Sequence, residues 1–513
     1  METLCYQNRI WTGLARRADL VTDEARLEAS YVATSVDGLF SGTESSVVFG
    51  RRGAGKTHLL IHLEHQIRAR DDVPIFLDMR VMGSNAGIYN DPQIPFSNRA
   101  TRLLVDLVEN VHQVLYQAGI GEGRLDLSAQ LHLLGPALDA IGEAMTDVAV
   151  TGEVEVTHEQ GGEVSRNGKA EVGYKSKDGI SVGFSSENRE HGSFRQAVTR
   201  KGQSEYHVVL GSLSKALRSL CAAIEGRRLW LLIDEWDAVP RELQPTLADM
   251  LRRAFIPVPQ LTVKMTAVEH RSVFREPGTD GRWIGLELGS DTGESVSLDF
   301  HQALKGPATA RDFAGRVLFE HFRAYEKTLG HDVSTLEEIM AGFLRDALAT
   351  LVTASEGNPR DAINIVSKSA RLAAQGPIGP DHVLRASSDY FWMTKFKNIE
   401  GRPDLEELFE EILAKSLKRG KRTILVNRSD PKRPLYAELY DARLIHLLQS
   451  GIRPEGGGES YDGYAIDFGS YSQRVLAGTL RWTSDGWVNS TSFFSDKDAP
   501  DWRDGVMPRR GRR

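Results

Sequence analysis

The sequence predicts an α/β fold built on a buried parallel sheet, and three observations predict it. Val47-Val48-Phe49 runs into Gly50-Arg51-Arg52-Gly53-Ala54-Gly55-Lys56-Thr57 and then Leu59-Leu60-Ile61, the pattern of strand, glycine loop and helix. Leu229-Trp230-Leu231-Leu232-Ile233 is an unbroken apolar run closed by Asp234-Glu235, as expected of a strand buried on both faces. Such runs alternate with amphipathic helical stretches up to about residue 300.

The glycine loop carries the spacing G-x-x-x-x-G-K-T of a P-loop. Its glycines let consecutive N–H groups turn inward toward phosphate oxygens, and the helix N-terminus adds positive potential. The nucleotide-contacting set is Gly50, Gly53, Ala54, Gly55, Lys56, Thr57 and His58, with Lys56 on the β- and γ-phosphates of ATP. Thr57 and Asp234 are the candidate Mg²⁺ ligands. Glu235 is placed to deprotonate a water, so Glu235 and Lys56 head the catalytic candidates and the chemistry expected is ATP hydrolysis.

The remaining elements follow in order. Leu20–Leu39 has loose helical spacing after a cap at Thr22-Asp23-Glu24. Val73–Asp78 is a second core strand, and Ser97–Ala118 and Leu125–Met145 are helices. Between 147 and 207 the chain turns Gly-, Ser-, Glu- and Lys-rich. There Ala170-x-Val172-x-Tyr174 and Ile180-x-Val182-x-Phe184 flank an Asp178-Gly179 turn, a β-hairpin insertion, and Glu153–Val156 adds a possible strand. Helices at Leu210–Ile224 and Pro240–Phe255, strands at Leu261–Val268 and Val296–Phe300, and helical spacing from Thr309 to Ala386 complete the pattern. Beyond Asp404 come helices at Leu405–Leu413 and Leu435–Leu448, the loop Gly456-Gly457-Gly458 and an alternating strand from Tyr461.

Composition bounds the partners. The 513 residues are 41% apolar and 26% charged with net charge −7, so any nucleic-acid binding must come from a local patch. Lys415 to Arg433 holds eight basic residues and one acid, a candidate contact for double-stranded DNA, and Pro508–Arg513 is a basic tail. Cys5 and Cys221 have no metal-ligand spacing, no leader pattern opens the chain, and no apolar run reaches the roughly 20 residues of a membrane span. A cytoplasmic protein with no membrane contact is expected.

The P-loop, the Asp234-Glu235 strand, the strand from Leu261 and then Gly357-Asn358-Pro359-Arg360-Asp361 appear in that order. The pattern over roughly residues 20–390 resembles AAA+ ATPases, nearest the origin-recognition initiator branch and its bacterial relatives. The resemblance implies a parallel-sheet P-loop NTPase domain over 1–305 with the insertion at 147–207. An all-α lid would cover 306–395, and a winged-helix-like domain with a basic tail 396–513. It implies that Arg360 contacts the γ-phosphate, and that a polar residue ending the fourth core strand positions water; Thr266 and Glu269 both stand there. It also implies completion by an Arg of a neighbouring subunit, in a homo-oligomer or with a paired AAA+ subunit. Arg252, Arg253, Arg271 and Arg275 are the candidates on this chain. An alternative stays open: a STAND-like signalling or scaffold ATPase that recognises a protein partner, in a bacterial antiviral defence setting with a separate effector protein.

Overall fold

The structure is a computed structural model that describes residues 2–14, 17–18, 21, 23–82, 89–122, 124–146, 154–156, 198–200, 208–278, 281–299, 306–330, 334–418, 422–453 and 458–480. Its first half is organised by five parallel strands: β1 (Ser46–Phe49), β2 (Val73–Asp78), β5 (Leu229–Asp234), β6 (Leu261–Ala267) and β9 (Val296–Ser297). Their order across the sheet is β2–β5–β6–β1–β9. β6 therefore lies between the P-loop strand and the acidic strand. Parallel pairing brings every C-terminal strand end to one edge. Phe49 stands opposite Ala267, and Asp234 opposite Asp78. The chemistry of the sequence collects at that edge because the sheet is parallel.

Both faces are covered. Helices α3 (Ser35–Phe40) and α4 (Lys56–Ala69) bury Phe40, Leu60, Leu63 and Ile67 against Val48, Trp230 and Leu232. On the other face lie α5 (Phe96–Gly119), α6 (Leu131–Thr146), α7 (Leu210–Ala223) and α8 (Gln244–Ala254), around Ile75, Leu231, Val263 and Met265. The apolar runs read from the sequence are these strands, buried except for the half-buried Phe49 and Phe76.

The expected hairpin at 169–185 and the basic tail lie outside the described residues. At the base of the insertion, β3 (Val154–Val156) pairs antiparallel with β4 (Val198–Arg200). A second hairpin, β7 (Arg275–Pro277) with β8 (Trp283–Gly285), has no counterpart in the sequence reading.

The rest is one further core. Helices α9 (Gly306–Thr328), α10 (Leu336–Met340), α11 (Ala347–Ser355), α12 (Pro359–Ala373) and α13 (Pro380–Tyr390) form an all-helical unit. They share their core with α14 (Pro403–Lys418), β10 (Thr423–Asn427), α15 (Arg433–Asp441), β11 (Ile445–Ile452) and β12 (Tyr461–Ile466). Phe391 stacks on Phe409 across the join. The N-terminal helix α1 (Glu2–Gly13) packs here too: Trp11 lies 4.7 Å from Phe322, and Asn8 Nδ2 donates to Ala374 O at 2.8 Å.

Two sequence expectations are corrected. Leu20–Leu39 is not one helix but α2 (Glu24–Ala29) and α3, split at Tyr31–Thr34, because Thr34 caps α3 with a capping box to Asp37. Leu435–Leu448 is not one helix either. The chain leaves α15 at Arg443, whose φ of +63° is left-handed, and Ile445 starts β11. The three-stranded sheet runs β10–β12–β11, antiparallel throughout, with the single helix α15 between β10 and β11.

Candidate nucleotide site

The P-loop leaves β1 at Gly50, whose N–H donates to Ala267 O at 3.1 Å. Gly53 and Gly55 have φ of +89° and +100°, so the loop conformation depends on glycine at both. Lys56 opens α4. Its Nζ donates to the carbonyls of Gly50 (2.8 Å) and Arg51 (3.4 Å), which holds the ammonium in the hollow that the loop encloses. Thr57 Oγ1 donates to Asp234 Oδ2 at 2.7 Å, and Thr266 Oγ1 donates to the other oxygen, Oδ1. Burial pushes the Asp234 carboxyl up, against the two threonine hydrogen bonds. A fully buried carboxylate beside a hydroxyl is a fitting pair of oxygen ligands for Mg²⁺. Among the described residues no group of three His, Cys, Asp or Glu could hold a metal unaided.

Glu235 has left-handed backbone, φ +55° and ψ +46°, an uncommon conformation for Glu that turns it out of the strand into the cavity. Its N–H donates to Thr266 Oγ1 at 3.4 Å, and Arg80 Nη1 lies 4.0 Å from Oε1. Thr266 is therefore the polar strand-end residue beside the acids. Glu269 is exposed and begins a short 3₁₀ turn. Arg80, also bound to Asp78 at 2.6 Å, was missed in the sequence because only the β2–β5 register brings it to Glu235.

Gly357 to Asp361 spells a helix start. Gly357 has φ +69°, Asn358 is the N-cap accepting from the Asp361 N–H at 3.2 Å, and Pro359 takes the first turn. The start sits directly on the P-loop. Asn358 Nδ2 donates to Arg52 O (3.1 Å) and the Arg360 N–H to Gly53 O (3.4 Å). The Arg360 side chain lines the cavity, and its Nε is buried without a hydrogen-bond partner among the described residues.

A cavity of about 340 Å³ joins these groups. Gly53 to His58, Arg80, Glu235 and Arg360 line it, together with Tyr31, Val32, Phe313, Val317 and His321. His58 Nε2 is bonded to Leu27 O (2.8 Å), and burial pushes its imidazole down. The P-loop and charged side chains of this lining can hold a polyphosphate, and its apolar and aromatic residues a flat apolar group.

The other basic candidates are engaged. Arg252 and Arg253 both pair with Asp249, Arg275 with Glu287, and Arg271 with Asp441 of α15. In the basic stripe Lys415 pairs with Glu411, while Arg428 and Arg433 share Asp462.

Fold and site together define a P-loop α/β protein, its sheet edge roofed by a helical unit. No family model and no curated protein sequence matches the chain. Among solved structures it is similar to a chain of the Drosophila ORC bound to DNA, at 12% identity over 92% of both chains and a TM-score of 0.31. It is also similar to the Aeropyrum pernix ORC1 protein in complex with DNA, at 10% identity over 92% of this chain and 98% of that one, TM-score 0.29. Likeness at that level says nothing of what this chain binds.

Proposed function

We propose that the chain is an ATP-hydrolysing switch of the AAA+ kind, whose nucleotide state is passed to its C-terminal unit. The observation that carries this reading is the seating of the α12 start on the P-loop, with Arg360, Lys56, Thr57 and Glu235 lining one cavity and Asp234 bonded to Thr57 behind it. Mg²⁺ held by Thr57 and Asp234 would neutralise charge on the β- and γ-phosphates. Lys56 would exchange its two loop carbonyls for phosphate oxygens. Glu235 would take the proton of the attacking water as its oxygen bonds to the γ-phosphorus and ADP departs. Arg360 would sense the terminal phosphate from the helical unit, a cation that gains from closure only while that charge is present.

The test is nucleotide binding and steady-state ATPase activity of the full chain. Lys56→Ala should abolish binding, whereas Glu235→Gln should bind ATP and lose turnover. Normal hydrolysis by Glu235→Gln would remove Glu235 from the mechanism.

Two outputs are proposed for the switch. The first follows from the initiator resemblance and joins assembly with a second copy or a paired AAA+ subunit to salt-sensitive binding of double-stranded DNA by the Lys415–Arg433 stripe. The docked C-terminal unit favours the second output, recognition of a protein partner as in STAND-like switches, with an effector on another chain. Tyr440 and Asp441 at the end of α15 are turned onto Asp299 and Arg271 of the sheet domain, which leaves that end of the helix unavailable to a DNA groove. ATPase stimulation by DNA that vanishes at high salt would select the first output, and indifference to DNA the second.

A further inference from the structure

The x-positions of a P-loop are free to vary, yet Arg51 is 6% exposed and fully engaged. Its N–H donates to Asp299 Oδ2 (2.6 Å), its Nε to Asp299 Oδ1 (3.0 Å) and its Nη2 to Glu356 O at the end of α11 (2.5 Å). Its Nη1 meets Nδ1 of His446 in β11. One P-loop side chain thus touches the sheet domain, the helical unit and the C-terminal unit together.

The contacts continue behind His446. An arginine has donors only, so His446 Nδ1 must accept, and its Nε2–H must donate to Asp467 Oδ2 at 2.8 Å. The imidazole is neutral in this arrangement; burial and then the Arg51 charge push it down to about 4. Lys395 Nζ bridges Asp467 (2.5 Å) and Asp361 (2.7 Å), both carboxylates fully buried. Arg443 Nη1 and Tyr390 OH complete Asp361, at 2.6 and 3.0 Å. Asp361 adjoins Arg360, so the chain of contacts starts in the P-loop and ends beside the residue seated over it.

We propose that the C-terminal unit controls the nucleotide site through Arg51. Docking His446 onto the guanidinium, backed by Asp467, Lys395 and Asp361, holds the P-loop and the α12 start in the conformation that takes nucleotide. The inference rests on the ATP-switch reading and assigns its regulation. Arg51 and His446 are positioning residues. The Arg51 carbonyl faces Lys56 Nζ and accepts the Ala54 N–H at 3.1 Å, so a shift of this residue moves the phosphate hollow itself. A ligand that pulled the C-terminal unit away would loosen nucleotide. By reciprocity, nucleotide would oppose that ligand.

The test uses the full chain with His446→Ala, His446→Gln and Arg51→Lys. Glutamine offers an acceptor toward Arg51 and a donor toward Asp467, which alanine does not. Lysine keeps a cation near Asp299 without reaching three partners. Loss of one buried charge-assisted bond predicts ATP affinity about tenfold weaker in His446→Ala and Arg51→Lys. Amide exchange across residues 50–57 and 358–363, measured without nucleotide, should quicken in the same variants. His446→Gln should restore both. Unchanged affinity and exchange in His446→Ala, or glutamine as damaging as alanine, would overturn the proposal, as would a lower melting temperature with wild-type affinity. If the alanine variant fails to fold, Arg51→Lys decides by the same readouts. If the wild type takes no nucleotide, the ATP reading fails, and the exchange comparison alone judges the linkage.

Discussion

Replacing Gly53 by alanine isolates the contact between P-loop and helical roof. A Cβ on Gly53 would lie 2.7 Å from both Arg360 Cβ and Asn358 Oδ1, at a backbone φ of +89°. Gly55 is the control, because its φ of +100° is as unfavourable for alanine while a Cβ there meets nothing among the described residues within 4 Å. Left-handed backbone costs an L-residue about 1–2 kcal/mol at either position. Overpacking adds roughly 1–3 kcal/mol at Gly53 alone. The obstructing atoms cannot swing away, since one is a Cβ and the other caps Asp361. Relief must come from α12 lifting off the loop. Amide exchange at residues 358–363, without nucleotide, reads this directly. Exchange in Gly53→Ala should exceed that in Gly55→Ala by about 5- to 150-fold, the equivalent of that extra 1–3 kcal/mol. Equal rates in the two variants would mean that the helix start does not rest on the P-loop, and the argument for Arg360 would fall with it.

Lys264 is buried in β6 with its Nζ on Glu44 O (2.6 Å) and Ser46 Oγ (2.9 Å), and burial pushes it down to about 7. Between about pH 7 and 10.5 the unfolded chain then binds more protons than the folded one, so stability should rise with pH by up to about 1.4 kcal/mol per pH unit. Lys264→Met should flatten that slope in denaturant titrations; an unchanged slope refutes the assignment. Lys395→Met takes the bridging cation from between Asp361, which keeps Arg443, and Asp467, which keeps the neutral His446, and should cost about 3–5 kcal/mol in chemical denaturation, whereas a loss under about 1 kcal/mol would mean that water reaches the pair. Thr266→Val removes the Asp234 hydrogen bond at nearly constant volume. ATP turnover should fall with affinity kept, and unchanged turnover would exclude Thr266 from the site.

The chemistry-bearing strands were legible because their signals are local. An apolar run that ends in Asp-Glu, and one that ends in a glycine loop, need no knowledge of the fold. The Asn358-Pro359 helix start was legible for the same reason: its cap is contained in five residues. What escaped depends on partners far along the chain. Arg51 looked like filler within the loop motif, and its role appears only when residues 299, 356 and 446 converge on it. Thr266 and Glu269 were indistinguishable in sequence, until strand register put one beside Asp234 and left the other exposed. The strand β11 was hidden because Leu444, Leu447 and Leu448 extend the helical spacing of α15, and only the left-handed Arg443 breaks it. The pairing within the basic stripe is hidden in the sequence, because Asp462, which two of its arginines share, lies about 30 residues further on.

The sheet domain meets the C-terminal unit through polar contacts, Arg51 to His446, Tyr440 to Asp299 and Arg271 to Asp441, beside the ring contact of His270 and Tyr440, and this bears on whether the joint can open. An apolar joint exposes its area to water when parted, and the cost rises with each Å². A buried ion cluster behaves differently. Its charges have already lost their hydration, at a cost that their mutual attraction only about offsets, and separation returns water to each of them. Asp299 with Tyr440, Arg271 with Asp441, and Arg51 with the neutral His446 are therefore held while the units are docked, and lose little when they part. Removing one member while the rest stay buried is the expensive change; moving the unit as a whole is the cheap one. A joint of that kind suits a part that must come away on a signal, and it predicts that higher salt, which stabilises separated charges, will loosen the C-terminal unit before it unfolds the sheet domain. Limited proteolysis across 396–480 at rising salt would show this order. Simultaneous loss of both units would mean that the shared packing, and not the charge cluster, governs the joint.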